Sequence, residues 1–221
     1  RGAQEYFGVG ADMVTYGKTL GGGLPVGVLC GTHALMKRFR DDQPANISFA
    51  RGTFNSHPYV MGAMNEFLRR IDDPAVKAAY SEVDENWNKR VNTLNKRLET
   101  MNLPVRVSNL SSIWTITYTT PGRYNWMFQY YLRSVGLAIS WVGSGRLIFS
   151  HNFTDKEFEA VMERFVSAAK VMQEDGWWWQ SEHLTNRSIK RTILREMLAA
   201  RFGRSRQPRT TCGEQPVPEN P

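Results

Sequence analysis

Residues 15–27 read TYGKTLGGGLPVG. A single lysine, Lys18, stands just before a run of three glycines, with a proline and a further glycine close behind. Because each glycine costs backbone entropy on folding, such a run marks a tight turn or a close approach of the backbone to another group. The flanking residues Met13–Tyr16 and 26–31 have the composition of short strands. The stretch therefore predicts a lysine at the end of a strand, facing a glycine-rich turn.

Two known phosphate-binding patterns do not fit this part of the sequence. A P-loop requires a glycine five places before the Gly-Lys-Thr of residues 17–19, but that position is Asp12. The dinucleotide pattern G-x-G-x-x-G fails because Gly8 and Gly10 are followed by Met13. Two interpretations remain open: an exposed lysine beside a turn, or a lysine that forms a Schiff base with an aldehyde cofactor.

Three segments together resemble one enzyme family. The segment ADMVTYGKTLGGGLPVGVLCG, residues 11–31, resembles the lysine segment of class-III pyridoxal-phosphate aminotransferases, particularly the glutamate-1-semialdehyde aminomutase-like members. Residues 1–9, RGAQEYFGV, are similar to the run that leads into the lysine strand, and residues 51–63, RGTFNSHPYVMGA, resemble the family's GT-x-x-GNP-x-x-x-A segment. The resemblance covers roughly residues 1–170 and implies an α/β fold, the fold-type I pyridoxal-phosphate-dependent transferase.

The resemblance and the periodicity together predict four regions. We expect the end of the large cofactor-binding domain at 1–72, a small C-terminal α+β domain at 73–180, a basic helical extension at 181–202 and a disordered tail at 203–221. An apolar stripe from Val76 to Met101 predicts one long helix at the start of the small domain. Thr154 and Glu157 predict a capping box for a later helix. By the resemblance, this chain looks like the C-terminal half of such an enzyme.

The resemblance also implies roles for individual residues. Lys18 matches the Schiff-base lysine, which binds pyridoxal 5′-phosphate and moves the proton between the substrate and the cofactor. Gly52 and Thr53 match the pair that hydrogen-bonds the cofactor phosphate of the other subunit in a homodimer. Arg146 matches the arginine that clamps a substrate carboxylate, although Phe149 and Ser150 replace the two prolines of the family pattern. Ser56-His57 replaces the family's Gly-Asn and makes His57 a possible neighbour of the site.

Several functions stay open on the sequence alone. The main prediction is amino-group transfer from an amino-acid donor to a carbonyl acceptor, because the arginine segment around Arg146 is not part of the aminomutase pattern. The alternatives are an intramolecular aminomutase, an aminotransferase domain of a synthetase assembly line, or a catalytically incomplete fragment that acts as a dimerisation module. The last alternative arises because the family's phosphate loop, its ring-stacking aromatic residue and its pyridine-binding aspartate precede the lysine and are not found in this sequence.

Composition limits the partners and the location. The net charge of +7 is concentrated in residues 187–221, which carry eight Lys/Arg and three Glu, so it indicates a basic tail rather than a nucleic-acid-binding face. No apolar run approaches the roughly 20 residues that span a bilayer, and no membrane partner is expected. Two cysteines, Cys30 and Cys212, cannot form a disulfide framework, so we expect a reducing, cytoplasmic location. No metal site is expected.

Overall fold

A computed structural model describes residues 2–49, 51–139, 145–179, 181 and 183–202. The chain divides into two compact units, unit 1 at residues 1–83 and unit 2 at residues 84–221. The sequence placed its domain boundary earlier, between 72 and 73. The prediction of a disordered tail at 203–221 lies outside the described residues. None of the helices in the described part of the chain is both long enough and apolar enough to cross a bilayer.

Unit 1 is built on a β-hairpin followed by helices. Strands β1 and β2 pair in antiparallel register from Met13 opposite Gly31 to Gly17 opposite Gly27. A single 3₁₀ turn, Lys18–Gly21, begins directly after β1, and the proline and glycines then lead the chain back into β2. The elements are α1 (Ala3–Phe7), β1 (Met13–Gly17), β2 (Gly27–Gly31), α2 (His33–Met36), α3 (Pro58–Arg70) and α4 (Pro74–Ser81).

Unit 1 exposes most of its apolar side chains. Phe54 and Tyr59 are 78% and 79% exposed, and Gly21 is the one residue that is buried among those described in this unit. Large apolar side chains on every element of the unit are open to solvent: Tyr6, Phe7, Val9, Met13, Leu24, Leu29, Leu35, Met36, Phe39, Ile47, Phe49, Leu68 and Tyr80. The described residues of unit 1 therefore enclose no buried apolar interior.

Unit 2 is an α+β unit with a three-stranded antiparallel sheet in the order β3-β4-β5. On β3, Val105 and Val107 are buried, and on β4, Trp114 and Ile116 are buried, so alternate residues of each strand face the core. The elements are α5 (Val83–Thr100), β3 (Val105–Leu110), β4 (Ile113–Tyr118), α6 (Phe128–Ser134), β5 (Arg146–Ile148), α7 (Asp155–Glu174) and α8 (Asn186–Phe202).

All of the buried hydrophobic side chains among the described residues belong to unit 2. They come from the sheet, from helices α5, α6 and α7, and from Leu103 between α5 and β3, and the largest are aromatic. The rings of Trp87, Trp114 and Phe158 meet edge to face, with centroids 5.1–6.0 Å apart. Edge-to-face geometry suits the aromatic quadrupole, so this cluster joins α5, β4 and α7 into one core.

The predicted single helix from residue 74 to residue 101 is interrupted. Helix α4 ends at Ser81 and α5 begins at Val83, with Glu82 between them. The Ser81 hydroxyl donates to the Ala78 carbonyl at 2.8 Å, and a serine that bonds its own helix backbone in this way competes with the regular ladder. Periodicity alone could not show the break, because the apolar stripe continues on both sides of it.

Other local predictions are confirmed or corrected. Helix α3 spans Pro58–Arg70 as its apolar pattern predicts, and the capping box is present, with the Thr154 hydroxyl accepting from the Glu157 amide. The aromatic-rich sequence from Arg123 to Val135 predicts a helix, but residues 125–127 form a 3₁₀ turn and α6 begins only at Phe128. Residues 137–141, LAISW, have the composition of a short strand, but no strand forms at 137–139, and residues 140 and 141 lie outside the described residues.

Candidate functional site

Lys18 follows directly on the last residue of β1, as the sequence predicts. Its side chain is exposed, and in the described part of the chain its amine has no hydrogen-bond or ion-pair partner. Its backbone lies in the left-handed region, with φ +52°, which costs a non-glycine residue roughly 1–2 kcal/mol. The hairpin therefore holds Lys18 in a backbone conformation that is locally unfavourable for a non-glycine residue. Its side-chain amine remains available to react or to bind.

The glycine run allows a turn that no other residue would fit. A Cβ on Gly21 would lie 2.8 Å from Cγ1 of Val26, which is closer than van der Waals contact permits. Gly22 has φ +58°, and a Cβ there would lie 3.6 Å from Cβ of Ala63 on α3. The turn therefore lies close against α3, and a side chain at Gly21 would collide with Val26.

The loop that leads into α3 carries Gly52 and Thr53. The Asn55 amide donates to the Gly52 carbonyl at 3.1 Å, which makes residues 52–55 a turn with Thr53 inside it. Thr53 is exposed, and its hydroxyl has no partner among the residues that the structure describes. A free hydroxyl on an exposed turn can donate a hydrogen bond to an anion. The predicted contact of Thr53 with a cofactor phosphate needs such a hydroxyl.

His57, the departure from the family pattern, ends this loop and precedes the first residue of α3. Its backbone carbonyl accepts from the Met61 amide at 3.0 Å, and its ring lies between Phe54 and Tyr59, with centroids 6.2 and 5.3 Å away. Nδ1 is buried and has no hydrogen-bond partner within the described ranges. His57 is therefore held by the loop and the helix start as part of the local packing.

Arg146 lies in unit 2, on the edge strand β5. It opens the strand, faces solvent and is paired across the ladder with Thr115 of β4. An exposed guanidinium at a sheet edge can bind a carboxylate with two parallel hydrogen bonds. Lys18, Gly52 and Thr53 belong to unit 1, where the glycine turn and the Thr53 loop both adjoin α3, whereas Arg146 belongs to the other unit.

Arg90 is a residue whose importance the sequence does not reveal. From α5 it donates to the Phe153 carbonyl at 2.8 Å and to Asp155 at 2.9 Å, across the connection between β5 and α7. Its guanidinium also lies over the Trp87 ring at 4.7 Å and over the Phe158 ring at 5.0 Å. The only signal in the sequence is an arginine beside the apolar stripe of α5. Its contacts fix the segment that follows Arg146.

Two tyrosines of unit 2 have altered acidity. Burial raises the pKa of Tyr118 to about 12. Loss of solvent raises the pKa of Tyr131 to about 12 as well, and the hydrogen bond that its hydroxyl donates to Asp175 adds to the shift. Both shifts arise from the local packing of unit 2. Within the described ranges, no group of three or more His, Cys, Asp or Glu side chains could hold a metal ion.

Solved structures similar to this chain include transaminases. A structure described as a transaminase with PLP bound matches 79% of this chain and 42% of its own, with a TM-score of 0.64 and 22% identity. An omega-transaminase from Sphaerobacter thermophilus matches 76% of this chain and 40% of its own, with a TM-score of 0.62 and 22% identity. The fold is therefore that of fold-type I transferases, as the sequence predicts.

Sequence comparison gives the family. The model of the class-III aminotransferase family matches residues 2–169, and this chain belongs to that family. A glutamate-1-semialdehyde 2,1-aminomutase of Methanococcus maripaludis is 35% identical over 117 residues, which are 53% of this chain and 26% of the relative. The aminomutase of Alkaliphilus oremlandii is 26% identical over 182 residues, 78% of this chain and 41% of the relative. The chain thus spans between a quarter and about two-fifths of these relatives.

Proposed function

We propose that this chain acts in pyridoxal-phosphate-dependent transfer of an amino group from an amino-acid donor to a carbonyl acceptor, with Lys18 as the catalytic residue. The observation that carries the proposal is the free Lys18 amine at the end of β1, beside a turn of glycines, in a chain of the class-III aminotransferase family. When bound, the cofactor supplies an electron sink that stabilises negative charge at the substrate α-carbon. The proposed location is cytoplasmic.

The chain's own residues would divide the remaining work. The Lys18 amine holds the cofactor covalently and moves a proton at the α-carbon of the donor. The Thr53 hydroxyl and the backbone N–H groups of Gly52 and Thr53 donate to the phosphate, and we propose that they reach the phosphate held by the partner subunit of a homodimer. Arg146 binds the donor carboxylate through its planar fork.

An intramolecular aminomutase is the second candidate. It is favoured by the names of the curated relatives, which at 35% and 26% identity are glutamate-1-semialdehyde 2,1-aminomutases. Both reactions would use Lys18 in the same way. They differ in whether the amino group ends on a second molecule or on another carbon of the same molecule. Incubation with one amino donor and a separate keto acid, followed by analysis of both products, distinguishes them.

Covalent labelling tests the assignment of Lys18 without requiring turnover. The chain is incubated with an equimolar amount of pyridoxal phosphate, reduced with borohydride and digested, and the labelled peptides are identified by mass. We expect the label on Lys18 and its loss in Lys18→Ala. Lys77→Ala, which removes another lysine of unit 1, is the control and should keep the label. Label spread over the lysines in proportion to their exposure would refute the assignment.

The Thr53 assignment is tested by cofactor affinity. A hydrogen bond to a charged group contributes roughly 1.5–3 kcal/mol, so Thr53→Ala should weaken pyridoxal-phosphate binding by about tenfold or more. Thr32→Ala is the control, because the Thr32 side chain makes no capping hydrogen bond to α2. An unchanged dissociation constant in Thr53→Ala would make Thr53 a loop residue without a cofactor contact.

Arg146 is tested by comparing donors in the holoenzyme. Arg146→Ala should raise KM for amino-acid donors by about tenfold or more, and affect simple primary amines far less. Arg146→Lys should restore binding only in part, since an ammonium cannot reproduce the planar fork. Lys170→Ala, an exposed cation of α7, is the control. Equal losses for donors with and without a carboxylate would make the role of Arg146 structural.

A further inference from the structure

Helix α8, Asn186–Phe202, is the described element that the proposed function does not use. The family match ends at residue 169, so α8 lies beyond the part of the chain that resembles aminotransferases. The helix has a strong cationic excess, with one glutamate, Glu196, against five basic residues: Arg187, Lys190, Arg191, Arg195 and Arg201. The excess of positive charge on α8 therefore indicates a partner outside the aminotransferase fold.

One side of α8 is held by the rest of unit 2. Glu196 accepts hydrogen bonds from both terminal nitrogens of Arg123, at 2.9 and 2.5 Å. Ile189, seven residues earlier and therefore on the same side of a helix with 3.6 residues per turn, is half-buried. The one carboxylate of α8 is therefore paired with Arg123 of the same unit, and the helix keeps its net positive charge.

The opposite side of α8 combines cations with large apolar side chains. At about 100° per residue, Arg187, Arg191, Leu194 and Leu198 lie on the side turned away from Glu196, and Phe202 adjoins them. Leu194 is 56% exposed, Leu198 47% and Phe202 74%. We call these five residues the α8 face. Its first half is basic and its second half is mainly apolar, and in the second half the guanidinium of Arg201 lies over the Phe202 ring at 5.9 Å.

Exposed tryptophans lie near α8. The turn of residues 122–124 contacts both segments: the Arg123 side chain reaches α8, and the Tyr124 ring lies 5.3 Å from that of Trp177. A Cβ built on Gly122 would lie 3.2 Å from the backbone oxygen of Trp179. Trp177 and Trp179 are 37% and 48% exposed. Because this turn meets the Glu196 side of the helix, the two tryptophans lie beside α8 and are not part of the α8 face.

We propose that the α8 face docks on the surface of a bilayer containing anionic phospholipids, with the helix lying in the plane of the interface. Lipid headgroups neutralise the arginines, and the acyl boundary takes up the leucines and Phe202. A nucleic acid would neutralise the same cations but leave these apolar side chains in water. The sequence predicts no membrane partner because no apolar run is long enough to span a bilayer, but adsorption of an amphipathic helix needs no spanning segment.

Co-sedimentation of the 221-residue chain with vesicles tests the charge of the α8 face. We expect much stronger binding to vesicles of phosphatidylcholine with phosphatidylserine than to phosphatidylcholine alone. Arg187→Gln with Arg191→Gln should weaken binding to the anionic vesicles about 25-fold, since each cation contributes about fivefold. Lys89→Gln with Lys96→Gln removes the same charge from α5 and should change binding by less than about threefold. Arg187→Lys with Arg191→Lys keeps the charge and should keep the binding.

A second pair of variants tests the apolar half of the α8 face against exposed apolar side chains elsewhere in unit 2. Leu194→Gln with Leu198→Gln should weaken binding about tenfold or more, whereas Met101→Gln with Val171→Gln, at positions both 39% exposed, should have little effect. Far-ultraviolet circular dichroism verifies that each variant keeps its helix content. Equal binding to neutral and anionic vesicles, equal losses in the control pairs, or binding to an RNA or an acidic protein without binding to anionic vesicles would overturn the proposal.

Discussion

Replacing Arg90 should destabilise unit 2 and loosen the segment that follows Arg146. The Arg90 side chain is 14% exposed and donates to the Phe153 carbonyl. A hydrogen bond from a charged donor contributes about 1.5–3 kcal/mol, and each ring contact adds roughly 0.5–1 kcal/mol. The cost of burying the guanidinium offsets part of this sum. We therefore expect Arg90→Gln to lower the free energy of unfolding by about 2–3 kcal/mol.

The ion pair with Asp155 should contribute little of that loss. The Asp155 side chain is 94% exposed, and exposed ion pairs contribute about 0.2–1 kcal/mol. Urea denaturation of Arg90→Gln, Asp155→Asn and the double variant, followed by tryptophan fluorescence and circular dichroism, gives each contribution and their coupling. A loss in Asp155→Asn as large as that in Arg90→Gln would refute the argument, because it would mean that the surface pair, and not the Phe153 and ring contacts, holds the segment.

Three further predictions concern other parts of the chain. Thr154→Ala should lower the free energy of unfolding by about 1 kcal/mol in urea denaturation through loss of the α7 cap, and an unchanged midpoint would contradict this. Because burial raises the pKa of Tyr118 from 10.0 to about 12 on folding, the stability that it contributes is full below pH 10 and is lost as the pH rises to about 12. Tyr118→Phe should remove its share of the slope, up to about 1.4 kcal/mol per pH unit, and leave the share of Tyr131, whose pKa is also raised. Gly21→Ala should reduce borohydride labelling of Lys18, whereas Gly27→Ala, whose Cβ would meet nothing within 4 Å, should not; equal labelling would show that the turn tolerates a side chain.

Local signals in the sequence predict much of the fold. The strand before Lys18, helix α3 and the capping box of α7 depend on neighbouring residues, and the structure has each of them. The break at Glu82 was missed because it depends on a side-chain hydrogen bond within an otherwise regular apolar stripe. The late start of α6 was missed for a related reason: the Asn125 side chain donates to the Thr120 carbonyl at 3.1 Å, and such a contact has no periodic signature.

Some residues of the candidate site could likewise be predicted from local sequence features, and others could not. The position of Lys18 could be predicted because strand composition and a glycine run are local features, and the structure adds its left-handed backbone. Arg90 could not be predicted, because its partners Phe153 and Asp155 are more than 60 residues away in sequence. Contacts between residues so far apart arise from tertiary packing, and no local pattern in a single sequence predicts them.

The confinement of the buried hydrophobic residues to unit 2 has a consequence for how this chain responds to proteases and to solvent exchange. Unit 1 has strands and helices but no comparable interior of its own, so its amides should exchange hydrogen quickly, whereas those of α5, α7 and the sheet should exchange slowly. Brief proteolysis should therefore remove unit 1 first and leave a resistant fragment that begins near Asp84. Any cooperative melting curve recorded on this chain would measure that fragment, and a substitution near Lys18 could abolish cofactor binding without moving the midpoint.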